Sequence, residues 1–357
     1  MRLCENDPRI RQLSALYERG DYSALVLTKA PTLSWLLGGR VQIGIAGDGA
    51  VCKAVVRDGA VTVLTNNIEA LRLAEEEFGP VPRIVSTPWQ DGAAACRAEA
   101  EAAGPNPLYE EACAAEVAAL RTVLLPGQEA EAQQLADLCA AAVTETAGRV
   151  RPGMTEFEIS GLLSQSAVSR GLIPNVLFTP ADGHIARYRH ALSGPYPLEK
   201  LVMLSMGAQK NGLYCSITRF VSFGTPDAAT LDAQEKTCRV AAMLYSSTRP
   251  GTAYGPLYAA VEARYAEVGA AGQLALHHQG GLGGFQTREN RLNPDLPGQV
   301  QAHQLYAWNP SVTGFKSEDM LLVGETENRI LTHTPDFPHK TFAYGGREWQ
   351  MPQILIL

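Results

Sequence analysis

The stretch Leu201–Phe220, LVMLSMGAQKNGLYCSITRF, reads as a strand hairpin, and what surrounds it decides the fold. A helix pair and a histidine-containing stretch precede it. In the first helix, Leu135, Leu138, Cys139 and Ala142 fall on one face. That helix ends at Gly148 and leads into Arg151-Pro152-Gly153. Thr155 and Glu158 then form a capping box, with Met154 and Ile159 placed as a hydrophobic staple. Gly171 closes the second helix. Beyond the hairpin the same grammar recurs from Leu231: a helix, Arg249-Pro250-Gly251, Thr252, and a helix to about Gly269. A second histidine stretch and further strands follow it. Matching punctuation in matching order marks an internal repeat. It predicts two α-α-β-β halves closing face to face, with sheet inside and helices outside.

The first third has a different texture. Ala24–Leu27 (ALVL), Val51–Val56 and Ala60–Leu64 (AVTVL) read as strands, with Arg57–Gly59 as a turn. Asn67–Phe78 reads as an amphipathic helix stopped by Gly79 and Pro80, and Ala93–Ala103 as a surface helix. This predicts a small α/β domain over 1–110 and the repeat-bearing domain over 111–357. At 357 residues, two domains are the natural expectation.

The bulk properties exclude several classes. A hydrophobic content of 46% with 19% charged residues is that of a globular chain. The net charge of −7 offers no basic face to nucleic acid or anionic membrane. No stretch approaches the roughly 20 apolar residues of a membrane span, and no signal peptide is visible behind MRLCENDPRIRQL. Seven scattered cysteines without a C-x-x-C pair fit free thiols and a cytoplasmic setting.

The hairpin resembles the first metal-binding hairpin of the creatinase/prolidase ("pita-bread") peptidases, which reads D-x-G-A…G-Y-x-S-D-I-T-R. Gly207, Ala208, Gly212, Ile217, Thr218 and Arg219 match. Ser205 and Ser216 stand where the two bridging aspartates are expected. Downstream, AWNPSVTGFKSEDMLLV (Ala307–Val323) resembles the segment carrying the last two ligands, with Asn309 replacing one Glu and Glu318 keeping the other. YSALVLTKAPTLSWLLGGR resembles the opening of the creatinase N-terminal domain. The resemblance implies a creatinase-like N-terminal α/β domain followed by a pita-bread domain. It also implies a homodimer.

The family's metal histidine lies in G-H-G-x-G; here the segment is His277-His278-Gln279-Gly280-Gly281-Leu282-Gly283. Aligning on Gly283 puts Gly280 at the ligand and loses the histidine. Sliding by two puts His278 there. In either register the donors fall short: one carboxylate cannot hold two hard cations, and a His–Glu pair lacks the three protein ligands of a catalytic zinc site. No metal and no cofactor are expected. Metal loss need not end the chemistry, because creatinase is a metal-free C–N hydrolase relying on a histidine before this hairpin. The matching segment, ARYRHAL (Ala186–Leu192), places His190 in that role. A neutral imidazole is suited to moving protons near neutral pH.

The candidate catalytic residues are therefore His190, Glu318 and His278. The candidate substrate-binding residues are His277, Arg219, Asn309, Ser205, Ser216, Arg288 and Lys316. Lys316 or an arginine near Glu318 is expected to replace the lost cations, leaving a cationic pocket for a small anion or carboxylate terminus. Alternatively, Arg219 and Glu318 pair to hold the halves together. Trp308 is either a pocket wall or ordinary core, and Cys215 either a nucleophile near His190 or His278 or, with no feature to lower its pKa, an inert buried thiol. Three functions fit: a metal-independent hydrolase of a C–N bond in a small polar or peptide-like substrate, a non-catalytic ligand- or peptide-binding relative, or an Xaa-Pro peptidase with an atypical metal site.

Overall fold

The computed structural model describes residues 1–44 and 49–357. The chain divides into two compact units, Met1–Val123 with Lys210–Leu213, and Leu124–Gln209 with Tyr214–Leu357.

The first unit has helices α1 (Pro8–Glu18), α2 (Ala30–Leu37), α3 (Ala70–Arg72), α4 (Gly92–Ala103) and α5 (Ala114–Arg121). Its strands are β1 (Leu25–Leu27), β2 (Cys52–Arg57), β3 (Ala60–Asn66), β4 (Arg83–Thr87) and β5 (Leu108–Tyr109), in the order β4-β3-β2-β1-β5. The apolar run at β1, between β2 and β5, is buried on both faces. The helix expected over Asn67–Phe78 is shorter and ends differently: α3 runs into a π-helical turn at Leu73–Glu77, where Phe78 N donates to Leu73 O at 2.8 Å.

The second unit follows the predicted repeat. Helices α6 (Pro126–Arg149) and α7 (Glu156–Val168) precede β6 (Ile173–Phe178), the short α8 (Gly183–Arg187), and the hairpin β7 (Leu201–Lys210) and β8 (Leu213–Ser222). The capping box at α7 forms as read: Glu158 N donates to Thr155 Oγ1 at 3.2 Å, and Thr155 N to Glu158 Oε2 at 2.7 Å. Helices α9 (Ala228–Ser247) and α10 (Tyr254–Glu267) open the second half. Strands β9 (Gly280–Leu282), β10 (Leu305–Trp308), β11 (Ser311–Val312), β12 (Phe315–Lys316), β13 (Asp319–Leu322) and β14 (Arg329–Ile330) follow. A hairpin, β15 (His339–Tyr344) with β16 (Arg347–Pro352), packs on α9, and β17 (Leu355–Ile356) ends the chain parallel to β8.

Two four-stranded sheets result, β17-β8-β7-β6 and β14-β13-β10-β9. A backbone bridge between Thr218 and Glu318 joins them, with Thr218 N donating to Glu318 O at 3.1 Å. Helix α9 lays Cys238, Ala241, Ala242 and Tyr245 into a core shared with Phe220, Tyr306 and Trp308. Trp308 is fully buried and stacks on Tyr306 at 5.2 Å, so it is core rather than pocket wall.

Candidate active site

The Thr218–Glu318 bridge sits at the floor of the site, because successive residues of a strand point to opposite faces. Thr218 and Glu318 therefore turn one way, and Arg219 and Asp319 the other. On the outer side, Arg219 Nη2 donates to Asp319 Oδ1 at 2.7 Å and to Thr332 O at 2.6 Å. Both side chains are buried. The alternative that paired Arg219 with Glu318 is thus corrected to Arg219–Asp319, and Arg219 does not line the cavity as a substrate-binding residue.

On the inner side, Glu318 is held by two cations. Lys316 Nζ donates to its Oε2 at 3.0 Å and to Ser205 Oγ at 2.8 Å. Arg288 Nη2 donates to its Oε1 at 3.1 Å, while Nη1 donates to Ser216 Oγ at 3.3 Å. Thr218 Oγ1 donates to Oε2 at 2.8 Å. Burial alone would raise the Glu318 carboxyl; the charges of Lys316 and Arg288 overcome it and hold the group at about 2. The carboxylate stays ionised across the physiological range.

Ser205, Ser216, Arg288, Lys316 and Glu318 border a cavity of about 170 Å³. Val176, Phe178, Gly207, Thr287, Arg291, Asn309, His190 and His278 complete its wall. Ser205, Ser216, Asn309, Arg288, Lys316, Glu318, His190 and His278 are thus brought together around one cavity. Two cations face one carboxylate, with Arg291 a third at the exposed edge. Phe178, Arg291 and Ser311 escaped the sequence reading. Arg291 carried a signal, lying three residues beyond Arg288; Ser311 lies two beyond Asn309.

His277 is buried behind His190 rather than lining the cavity. Its Nε2 lies 3.2 Å from His190 Nε2, and its Nδ1 lies 3.0 Å from Ser311 Oγ. Asn309 Nδ2 is 3.4 Å from the same Nε2. His190 stacks on Phe178 with ring centroids 5.3 Å apart. Burial, then the nearby Lys316, pushes His277 down to about 3 and lowers His190. Burial and the charges of Arg288 and Arg291 bring His278 to about 4. At neutral pH all three imidazoles are uncharged.

Strand pairing bears on the histidine register. Gly280 pairs with Trp308, next to Asn309. A Cβ at Gly280 would lie 2.6 Å from Asn309 Oδ1 and 2.0 Å from Ala307 O. The side-chain direction that would face Asn309 thus belongs to Gly280, where φ is +94° and no side chain fits. This direction supports the register aligned on Gly283, in which the position has no histidine.

A known family's sequence profile matches residues 130–325, more than half of the chain. It is that of metallopeptidase family M24. The chain belongs to this family. It superposes on the prolidase from Pyrococcus horikoshii OT3 with a TM-score of 0.74 at 15% identity, over 92% of this chain and 99% of that one. The dipeptidase from the same organism gives 0.73 at 18% identity, covering 98% and 100%. The N-terminal domain of FACT complex subunit SPT16 from Cicer arietinum gives 0.67 at 12%, covering 92% and 96%. At these identities the likeness establishes the fold. No curated protein sequence matches the chain.

Family membership implies divalent metals, and the residues present do not fit them. Ser205, Ser216 and Asn309 are neutral, Gly280 has no donor, and Glu318 already accepts from Lys316, Arg288 and Thr218. Hard divalent ions need several oxygen donors, preferably anionic. Two fixed protein cations sit on the one carboxylate that remains.

Proposed function

We propose that this family member hydrolyses a C–N bond in a small, anion-bearing, peptide-like substrate without the family's metal pair. The observation that carries the reading is one cavity bordered by both a neutral His190 and the Lys316–Glu318–Arg288 array. His190 acts as general base, taking a proton from water as its oxygen bonds to the substrate carbon. The same proton then returns to the departing nitrogen. Lys316 and Arg288, fixed by Glu318, stabilise the negative charge developing on the substrate oxygen, as preorganised donors do. His278, Ser205, Ser216 and Asn309 line the space for the ligand. A cavity this small suits an amino-acid-sized molecule, below the ~300–1,000 Å³ of larger ligand sites.

The test is a turnover screen of N-acyl amino acids, ureido and guanidino acids, and dipeptides, using chelator-treated protein. Turnover by the native chain and its loss in His190→Ala supports the proposal; no turnover across the screen refutes it. A second reading, a ligand-binding relative without turnover, is favoured by one feature: every oxygen of Glu318 already has a protein partner. Calorimetric binding without product would select it. We also propose that the chain is a homodimer; a monomer mass by light scattering would refute this. Among the described residues no helix is long and apolar enough to cross a membrane.

A further inference from the structure

His190, His277 and His278 are more than neighbours of a cavity. One ring nitrogen from each lies within 4.8 Å of those from the other two. We infer that these three imidazoles form a binding site for a single borderline transition-metal ion, zinc or cobalt in class, distinct from the family's carboxylate centre. The donor set is nitrogen only, which suits zinc, cobalt, nickel or copper and not magnesium or calcium.

The geometry is close to what such an ion needs. At a zinc–nitrogen length of about 2.0–2.1 Å, tetrahedral donors lie about 3.3 Å apart and their ring centroids about 5.2 Å apart. The Nε2 atoms of His190 and His277 are 3.2 Å apart. The centroids are 5.0 Å for His190–His277, 4.7 Å for His277–His278 and 6.1 Å for His190–His278. His278 is the ring that must close in. Its Nδ1 receives Gly280 N–H at 3.2 Å, and ligation through Nε2 would move its proton to Nδ1 at the expense of that contact. Ser311 Oγ on His277 Nδ1 is the outer-shell partner that fixes a ligating imidazole.

The groups facing the site are Lys316, Arg288 and Arg291 against Glu318. Their positive charge opposes the ion, so the fourth position takes an anion, such as chloride or hydroxide. The consequence for activity rests on the hydrolase reading above. A metal on His190 occupies the lone pair that the base requires, so metal and turnover are mutually exclusive, and the site serves as an inhibitory switch.

The experiment is a titration of the chelator-stripped full chain with Co²⁺ in chloride buffer, followed by visible absorption. The expected result is one ion per chain with the intense bands of four-coordinate cobalt. His277→Ala and the exposed His190→Ala, each checked for folding by circular dichroism, should lose them, and Ser311→Ala should weaken binding about tenfold. No uptake, or uptake unchanged in folded His190→Ala, overturns the site. The titration needs no turnover, so it separates the two claims. If cobalt binds as described and no substrate is ever hydrolysed, the site stands and the hydrolase reading falls.

Discussion

Replacing Glu318 by Gln keeps the shape of the side chain and removes the one negative charge between Lys316 and Arg288. Both cations are about nine-tenths buried, at 10% and 9% side-chain exposure, so neither recovers its hydration. Breaking a buried ion pair by removing one partner costs about 3–5 kcal/mol. The carboxyl itself gives a second figure. It titrates at about 2 instead of near 4.5, and at about 1.4 kcal/mol per unit that depth is worth on the order of 3 kcal/mol. A depressed carboxylate contributes stability that is present above its ordinary pKa and lost as pH falls through the folded value. The native chain should therefore lose this increment between about pH 4.5 and 2, and E318Q should lack that segment of the acid profile. Urea unfolding at pH 7 is the assay, read as a lowered midpoint with an unchanged slope. Adding Lys316→Met to E318Q should recover part of the loss, because one orphaned cation goes with it. A cost below about 1 kcal/mol for E318Q, the range of exposed pairs, would refute the array.

Two further substitutions probe the frame around the cavity. Arg219→Met leaves Asp319 buried without its cation and should destabilise by about 3–5 kcal/mol, while ligand affinity in the folded protein stays unchanged; weakened affinity at constant stability would return Arg219 to the site. Gly280→His, which would nominally restore the family's metal ligand, meets Ala307 O at 2.0 Å and a φ of +94°. It should abolish soluble folding or lower the melting temperature by many degrees, and a well-folded variant that binds metal would refute the register.

The fold was legible because its signals were local. Thr155 and Glu158 three residues apart, and Arg-Pro-Gly before each second helix, need no tertiary information. The helix at Asn67–Phe78 was read too long because its apolar spacing does not reveal that the last turn widens to a π-turn. In the site, Ser205 and Ser216 were found through the resemblance of the Leu201–Phe220 hairpin to the family's, and Asn309 and Glu318 through that of Ala307–Val323. The pairing error had a simple cause: Glu318 and Asp319 are adjacent, and the twofold alternation of a strand sends only one of them inward. Applied to Thr218 and Arg219 as well, that rule pairs Arg219 with Asp319 once the Thr218–Glu318 bridge fixes the register. The meeting of His190 with His277 or His278 was expected only from the family resemblance, which puts His190 in the cleft, and not from any local pattern. The three come from irregular segments of the two halves, 87 residues apart for the bonded pair, and no period governs such segments.

The central claim, that fixed protein cations have taken the place of the family's metals, is tested most directly by turnover after metal removal. Once a substrate is found, the chain is dialysed against a strong chelator and assayed before and after adding back Mn²⁺, Co²⁺ or Zn²⁺. Activity that survives chelation, and falls when Zn²⁺ or Co²⁺ is added, is the predicted result. Activity that disappears on chelation and returns with a divalent ion would contradict it.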